Sequence, residues 1–309
     1  MKAIVTGGAG FIGSHVALAL VERGAKVTVI DDFSSGDFVN LKRFRGEVIA
    51  QDINHVHWDQ MNQGETVFHH AALTDTTVTD QRKMMYANVE GFRKVLDFCL
   101  ERRCKLIYAS SAGVYGNEPA PQSEEGSKNP LNIYAYSKWV GDQLAEEALR
   151  ENPVPIIGLR YFNVYGMGEQ NKGTAASMVY RLAEQMRCGM RPRIFFDGGQ
   201  SRDLIYIEDV IDANLKALEA TRSGIVNIGT GTGTTFNRLI AILNEVLHTQ
   251  LVPDYFENPY RFYQNETRAE IKQAEKLLGF KSHYTIAEGI RDYFARLYQF
   301  PRVVASSIS

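Results

Sequence analysis

The chain opens MKAIVTGGAGFIGSHVALALVERG, and the glycines at Gly7, Gly10 and Gly13 constrain everything that follows. They stand between a short apolar run, residues 2–6, and a stretch in which Ile12, Val16 and Leu20 recur at helical spacing. A buried strand that turns through glycine into a helix leaves little choice of fold. Glycine permits the tight turn and lets the backbone approach a pyrophosphate closely. The helix start then offers unpaired N–H groups and the positive end of its dipole. The spacing alone carries little; the strand before it and the helix after it supply the required context. The next apolar run, AKVTVIDD, ends at Asp31 and Asp32. A carboxylate at that strand end can accept hydrogen bonds from ribose hydroxyls. Gly7, Gly10, Phe11, Ile12 and Gly13, with Asp31 and Asp32, are therefore read as a dinucleotide site. Two carboxylates would repel a 2′-phosphate, and FSSGDF after them holds no lysine or arginine, so NAD is expected. Lys42, Arg43 and Arg45 keep NADP open.

The rest of the first half repeats strand and helix. EVIAQDI reads as a third strand, with Asp52 and Ile53 at its end placed under an adenine. TVFHHAA is a fourth, residues 81–103 a helix, and KLIYASS a fifth strand. IYAYSKWVGDQLAEEALREN is a strongly amphipathic helix, and VPIIGLRYFNVYG a sixth strand that runs into a loop. This alternation predicts an α/β, Rossmann-type doubly wound parallel sheet. Past about residue 166 the pattern changes. RIFFDGGQSRDLIYIEDV reads as a strand pair around a Gly-Gly turn, and further helices follow. The expected division is a cofactor-binding domain over 1–166, to which some later segments return, and a smaller mixed α/β C-terminal substrate portion over 167–309. The tail VVASSIS is expected to fray.

Net charge is -2 with basic residues scattered, which argues against nucleic acid as a partner. Nothing approaches an 18-residue apolar run, so no membrane span is expected. The chain also shows no signal-peptide pattern at its start. Cys99, Cys104 and Cys188 lack ligand or disulfide-framework spacing. These features predict a cytoplasmic protein. His69 and His70 follow a strand without a carboxylate or cysteine at ligand spacing, so no metal is expected.

Chemistry enters at YAYSK. Tyr134 and Lys138 lie one turn apart and project from one helical face. A tyrosine is a poor base because its free pKa is about 10. A neighbouring ammonium favours the phenolate and lowers that value. The pair can remove a hydroxyl proton while hydride leaves the carbon for nicotinamide, and Lys138 can also bind the nicotinamide ribose. SSAGVYG ends the fifth strand, where ligands of open α/β sheets bind. Ser111 is the expected catalytic hydroxyl and Ser110 its support.

The glycine loop, Asp31, SSAGVYG, YAYSK and LRYFNVYG together resemble the extended short-chain dehydrogenase/reductase family over essentially the whole chain. That resemblance implies NAD(P) on the sheet and a nucleotide sugar in the C-terminal portion. It implies catalytic roles for Ser111, Tyr134 and Lys138. Tyr161, Asn163 and Val164 would lie between nicotinamide and the sugar diphosphate. Ala71 and Ala72 would line the cofactor, and Asn88 would sit on the helix packed behind the active site. No Asp-Glu pair follows Ser111, which disfavours a dehydratase. RYFNVYGMGEQNKGTAASMVYRL resembles the same segment of ADP-glycero-manno-heptose 6-epimerases, whose active-site lysine Lys172 matches, although Ala175 replaces a methionine. RFYQNETRAEIKQAEKLLGF, with Tyr263, is similar to their late Tyr-Gln segment. HHAALTDTTVTD departs from them, and the ribose loop lacks their lysine for a 2′-phosphate.

The implied chemistry is redox-neutral: oxidation of a sugar carbon by NAD(P), then return of the hydride to the opposite face. Lys172 would hold or protonate the keto oxygen. The resemblance supports Arg202 as a diphosphate ligand, and a guanidinium can bind one bidentately. Asp203 would orient Arg202 or cap local structure, and Thr74 and Thr76 are candidates to touch the sugar. The partner expected is a nucleotide-diphosphate sugar, ADP-heptose foremost, with a homo-oligomer built on the helices at 81–103 and 134–151. The alternatives are a UDP-hexose 4-epimerase, a nucleotide-sugar reductase and an NAD(P)-binding regulator.

Overall fold

The structure is a computed structural model that describes residues 1–61, 65–76, 78–258 and 264–299. Its centre is a parallel sheet of seven strands: β1 (Lys2–Thr6), β2 (Lys26–Asp31), β3 (Glu47–Ala50), β4 (Thr66–His69), β5 (Lys105–Ser111), β6 (Ile156–Tyr161) and β10 (Gly224–Ile228). They lie in the order β10-β6-β5-β4-β1-β2-β3. The order reverses between β1 and β4, and the crevice outside the carboxyl ends of the strands there is where such sheets bind ligands.

Strand alternation builds two cores. Val5, Val29, Phe68, Ile107 and Leu159 face one way, under α1 (Phe11–Glu22) and α6 (Ile207–Glu219). Ile4, Ile30, Val67, Leu106 and Ile156 face the other, under α3 (Gly91–Arg102) and α4 (Ile133–Glu151). Strands buried on both faces need the near-continuous apolar runs seen in the sequence. The doubly wound Rossmann-type fold is thus as expected.

Details of the expectation change. The stretch 81–103 is not one α-helix. It runs as α2 (Gln81–Met85), a π-helical turn over Tyr86–Glu90, and then α3. The run VPIIGLRYFNVYG divides: β6 stays in the main sheet, while β7 (Asn163–Tyr165) pairs with β9 (Ser201–Tyr206). With β11 (Gly233–Thr235) these form a three-stranded sheet in the order β11-β9-β7. The strand pair expected around Gly198-Gly199 does not form. β8 (Arg193–Phe195) pairs instead with β12 (Asp254–Phe256). The reason is local: α7 (Phe236–Leu247) starts against the turn, and the N–H groups of Phe236 and Asn237 take the carbonyls of Gln200 and Gly198. Phe196, which beside Phe195 reads in the sequence as half of an apolar core pair, is exposed. Among the described residues no helix is long and apolar enough to cross a membrane.

Candidate active site

One cavity of about 1010 Å³ runs from the glycine loop, past the ends of β4, β5 and β6, to β8 and β9. Its cofactor end is shaped by the glycines. Gly7 has φ +64, and a Cβ there would lie 2.5 Å from the Ala71 nitrogen. A Cβ on Gly13 would lie 2.2 Å from the Gly7 carbonyl oxygen. Gly10 caps α1 without any side-chain hydrogen bond and with no acid in the first turn, so the helix start keeps its donors for an anion. Asp31 is buried at the end of β2, and its two oxygens accept the N–H groups of Ala9 and Phe33, both at 2.8 Å. It locks the glycine loop to the next loop. Burial pushes its pKa up, against those two hydrogen bonds. Asp32 accepts from the Ser34 N–H at 2.9 Å and hydroxyl at 2.7 Å. Phe11, Ile12, Asp52, Ile53, Ala71 and Ala72 also line this end. A turn too tight for side chains, a bare helix start and carboxylates at the strand end together fit a dinucleotide.

Asn132 caps α4 by accepting the Ala135 N–H at 2.8 Å, which places Tyr134 in the first turn. Ser111 ends β5, accepts the Gly113 N–H at 3.1 Å and hydrogen-bonds the Tyr134 phenol. A hydroxyl carries one proton and two acceptor lone pairs, so Ser111 can hold the Gly113 N–H and the phenol at once. Lys138 donates to the Ala109 carbonyl at 2.9 Å. The expected lowering of the Tyr134 pKa by Lys138 is not what dominates. Burial pushes Tyr134 up and the Ser111 hydrogen bond pulls it back. Burial pushes Lys138 down to about 8, with Asp142 opposing.

Ser111, Tyr134, Lys138, Tyr161, Asn163, Val164, Thr74, Lys172 and Arg202 all line the cavity. Lys172 stands over the Phe11 ring, 5.5 Å from its centroid, and burial lowers its pKa while Glu169 raises it. Arg202 donates to the Ser201 carbonyl at 2.8 Å. Asp203 faces away and binds the Thr230, Gly231 and Ala269 N–H groups, so it caps local structure. Tyr263 lies outside the described residues.

Asn88, expected on the helix packed behind the active site, lies there: it does not line the cavity itself, because the π-helical turn aims it inward, behind the wall. It exchanges two hydrogen bonds with the Leu73 backbone, at 2.7 and 3.0 Å. It also donates to Ser137 at 2.9 Å, whose hydroxyl donates to the Tyr134 carbonyl at 2.7 Å. Through Ser137 it braces the first turn of α4 from behind the cavity wall.

Phe195, which with Phe196 the sequence offers either as base-pocket lining or as an apolar core pair, lines the cavity, and other liners carry no such signal in the sequence. His70 stacks on Tyr161 with ring centroids 6.3 Å apart, and neither ring nitrogen has a partner among the described residues. Phe195 and Phe256 meet edge to face at 4.8 Å, beside Arg181, Gln185 and Gln200. Paired histidines and a scattered aromatic pair carry no spacing that would single them out. Among the described residues no group of three His, Cys, Asp or Glu could hold a metal.

The glycine-loop sheet with a Ser-Tyr-Lys constellation at its strand ends defines a dinucleotide-dependent enzyme. The chain belongs to the NAD dependent epimerase/dehydratase family, whose model matches residues 3–229. NAD is its cofactor. It is 36% identical to the ADP-L-glycero-D-manno-heptose-6-epimerase of Brachyspira hyodysenteriae, over 94% of this chain and 96% of that protein. The crystal structure of the Helicobacter pylori ADP-L-glycero-D-manno-heptose-6-epimerase superposes with a TM-score of 0.91, at 38% identity over 97% of this chain and 96% of that one. The UDP-glucuronic acid 4-epimerase from Bacillus cereus, solved with UDP-glucuronic acid and NAD, is also similar. Its TM-score is 0.87, with 28% identity over 96% of this chain and 100% of that one.

Proposed function

We propose that the protein inverts the 6-position of an ADP-glycero-manno-heptose. The observation that carries this reading is the convergence of Ser111, Tyr134 and Lys138 on the cavity into which the glycine loop also opens. Similarity to two heptose 6-epimerases over nearly the whole chain supports the sugar. NAD, when bound, would supply a reversible hydride acceptor, so that the sugar carbon is oxidised and then reduced on its other face without net redox.

The glycine loop and the start of α1 hold the pyrophosphate of the cofactor. Asp31 and Asp32 take a ribose, Asp52 and Ile53 border the adenine, and Ala71, Ala72, Tyr161 and Val164 line the nicotinamide end. Tyr134 removes the proton of the sugar hydroxyl. The Ser111 hydroxyl, already hydrogen-bonded to the Tyr134 phenol, orients the reacting oxygen beside it. Lys138 holds the ribose and supplies positive charge beside the phenol. Lys172 binds the keto oxygen in one of its two orientations, and its lowered pKa favours proton exchange. Thr74 and Asn163 touch the sugar, and Arg202 grips the diphosphate. Residues 1–166 supply most of the cofactor half and 167–309 most of the substrate half. Exposed Tyr86 and Tyr136 on the faces of the 81–103 and 134–151 segments support a homo-oligomer there. Three free cysteines fit a reducing cytoplasm.

The test is NMR of purified protein with ADP-D-glycero-D-manno-heptose in deuterated water and no added cofactor. Inversion at the 6-position without net redox, and without deuterium entering that carbon, is expected. Tyr134→Phe should slow it by about 10²–10⁴. No conversion by protein whose NAD content is verified by absorbance overturns the heptose assignment, and UDP-hexoses then become the substrates to try.

A further inference from the structure

Between β7 and α5 (Met178–Arg187) the chain makes a loop that carries Lys172 and lines the cavity through Asn171, Lys172, Thr174 and Ser177. No strand pairs with it. Its one regular stretch, a 3₁₀ helix over Gln170–Ala175, is broken at Gly173, whose φ is +55. Side chains must therefore fix where Lys172 stands.

One buried carboxylate does most of this. Glu169 is 1% exposed. One of its oxygens accepts the Gly166 N–H and the Ser177 hydroxyl, both at 3.0 Å, and the other accepts the Ser177 N–H at 2.5 Å. The start and the end of the loop are thus tied to a single side chain. The Glu169 carbonyl accepts the Lys172 N–H at 2.9 Å. Beside it, Gln170 accepts the Gly168 N–H at 2.8 Å and donates to the Tyr293 hydroxyl at 3.2 Å, which docks the loop on the last helix, Ile286–Gln299. Lys172 is left over the ring of Phe11, the first residue of α1, with Glu169 as the carboxylate acting on it. Burial works against the charge of Glu169, and its hydrogen bonds and Lys172 offset that burial. A loop could be closed by neutral groups at less cost. A carboxylate closes it and also answers an ammonium that has itself been drawn out of water.

We infer that Glu169 is a positioning residue for Lys172: its carboxylate closes the 166–177 loop and holds the ammonium at the cavity wall over Phe11. The inference rests on the reading of Lys172 as the group that binds the keto oxygen, and it adds a residue that touches neither substrate nor cofactor.

The test is a double-variant cycle on NAD-loaded protein: wild type, Glu169→Gln, Lys172→Met and the two together. Inversion of ADP-D-glycero-D-manno-heptose is followed by NMR, with protein concentrated enough to follow slow variants. A glutamine keeps the shape of the side chain but offers one acceptor oxygen where two are used, and no charge. Glu169→Gln should lower kcat about ten- to a hundredfold with KM and NAD content little changed. In the Lys172→Met background the same substitution should change kcat by less than about twofold, because the group it positions is gone. An equal loss in both backgrounds overturns the inference, since a general loosening of the fold would act with or without Lys172. Wild-type kcat in Glu169→Gln, or a loss confined to KM, overturns it as well. If Glu169→Gln does not fold or does not keep NAD, Ser177→Gly enters the cycle in its place. It removes one hydroxyl bond to Glu169 and leaves a tolerated cap residue on α5. A smaller loss of kcat that vanishes beside Lys172→Met is then expected, and one that persists overturns the inference. Wild-type kcat in Lys172→Met would remove the role of Lys172 and this inference with it, while the heptose reading would stand. No conversion by wild type would remove the heptose reading too.

Discussion

At the scale of single residues, His70 shows how a group can be costly to the apo fold and still lie in the site. Its ring is packed on Tyr161, with both nitrogens unpartnered among the described residues. Burial, with Lys138 nearby, lowers its pKa from 6.5 to about 3. His69 beside it is shifted in the same direction by burial, Lys138 and His70. The unfolded chain therefore takes up protons between about pH 3 and 6.5 that the folded chain refuses. Stability is complete above pH 6.5 and declines as pH falls through that window. Replacing His70 with phenylalanine keeps the ring on Tyr161 and removes the proton. We expect the melting temperature of His70→Phe to fall less steeply than that of wild type between pH 6.5 and 4.5. Parallel curves would show that His70 does not titrate as its burial requires.

At the scale of elements, the π-helical turn at Tyr86–Glu90 does what an unbroken helix would not. It brings Asn88 into a peptide-like pair with Leu73 and onto Ser137, one hydrogen bond from the backbone of Tyr134. Asn88→Ala would leave the Leu73 N–H and carbonyl unpartnered behind the cavity wall. The expected cost is about 2–3 kcal/mol of stability, seen in the denaturant midpoint. Misplacement of the tyrosine should lower kcat by about ten- to a hundredfold with KM little changed. A stability loss with kcat intact would make Asn88 structural only. Sequence periodicity cannot show such a turn: Phe92, Val95, Leu96 and Cys99 keep helical spacing whether or not one turn widens. The same limit hid β12 and the fate of β8. Gly198-Gly199 does reverse the chain, as a glycine pair should. Which strand then pairs is decided by α7, which begins some thirty-five residues later in the chain. What was legible was local: the glycine loop, the strand ends and the Tyr134–Lys138 face each depend on neighbours in sequence. His70 was not, since a buried atom without a partner is a property of three-dimensional packing.

At the scale of the whole molecule, a buried polar network ties the sheet to the last third of the chain. Arg160 on β6 donates to Asp142 on α4 at 2.8 Å, with their side chains 3% and 1% exposed. Asp142 also accepts the Tyr108 hydroxyl at 2.9 Å, and Arg160 donates to the Tyr115 oxygen at 3.1 Å. Tyr115 donates to Asn227 on β10 at 2.6 Å, and Asn227 donates to the carbonyls of Gln122 and Glu270 at 2.9 and 3.3 Å. One connected set of hydrogen bonds thus joins β5, β6, α4, β10 and the 266–270 segment that also bridges Ser201. The floor of the active site and the strand that carries Arg202 are held to the same frame. Desolvating both charges makes the Arg160–Asp142 pair itself of little net worth, yet removing one partner strands the other. Arg160→Met should therefore cost about 3–5 kcal/mol, and lower the melting temperature by roughly 10 °C at the scaling of a large domain. Arg160→Met combined with Asp142→Leu should recover much of that loss, because the stranded carboxylate is gone. If the double variant were as unstable as the sum of the two singles, the damage would come from lost packing and not from an unpaired buried charge.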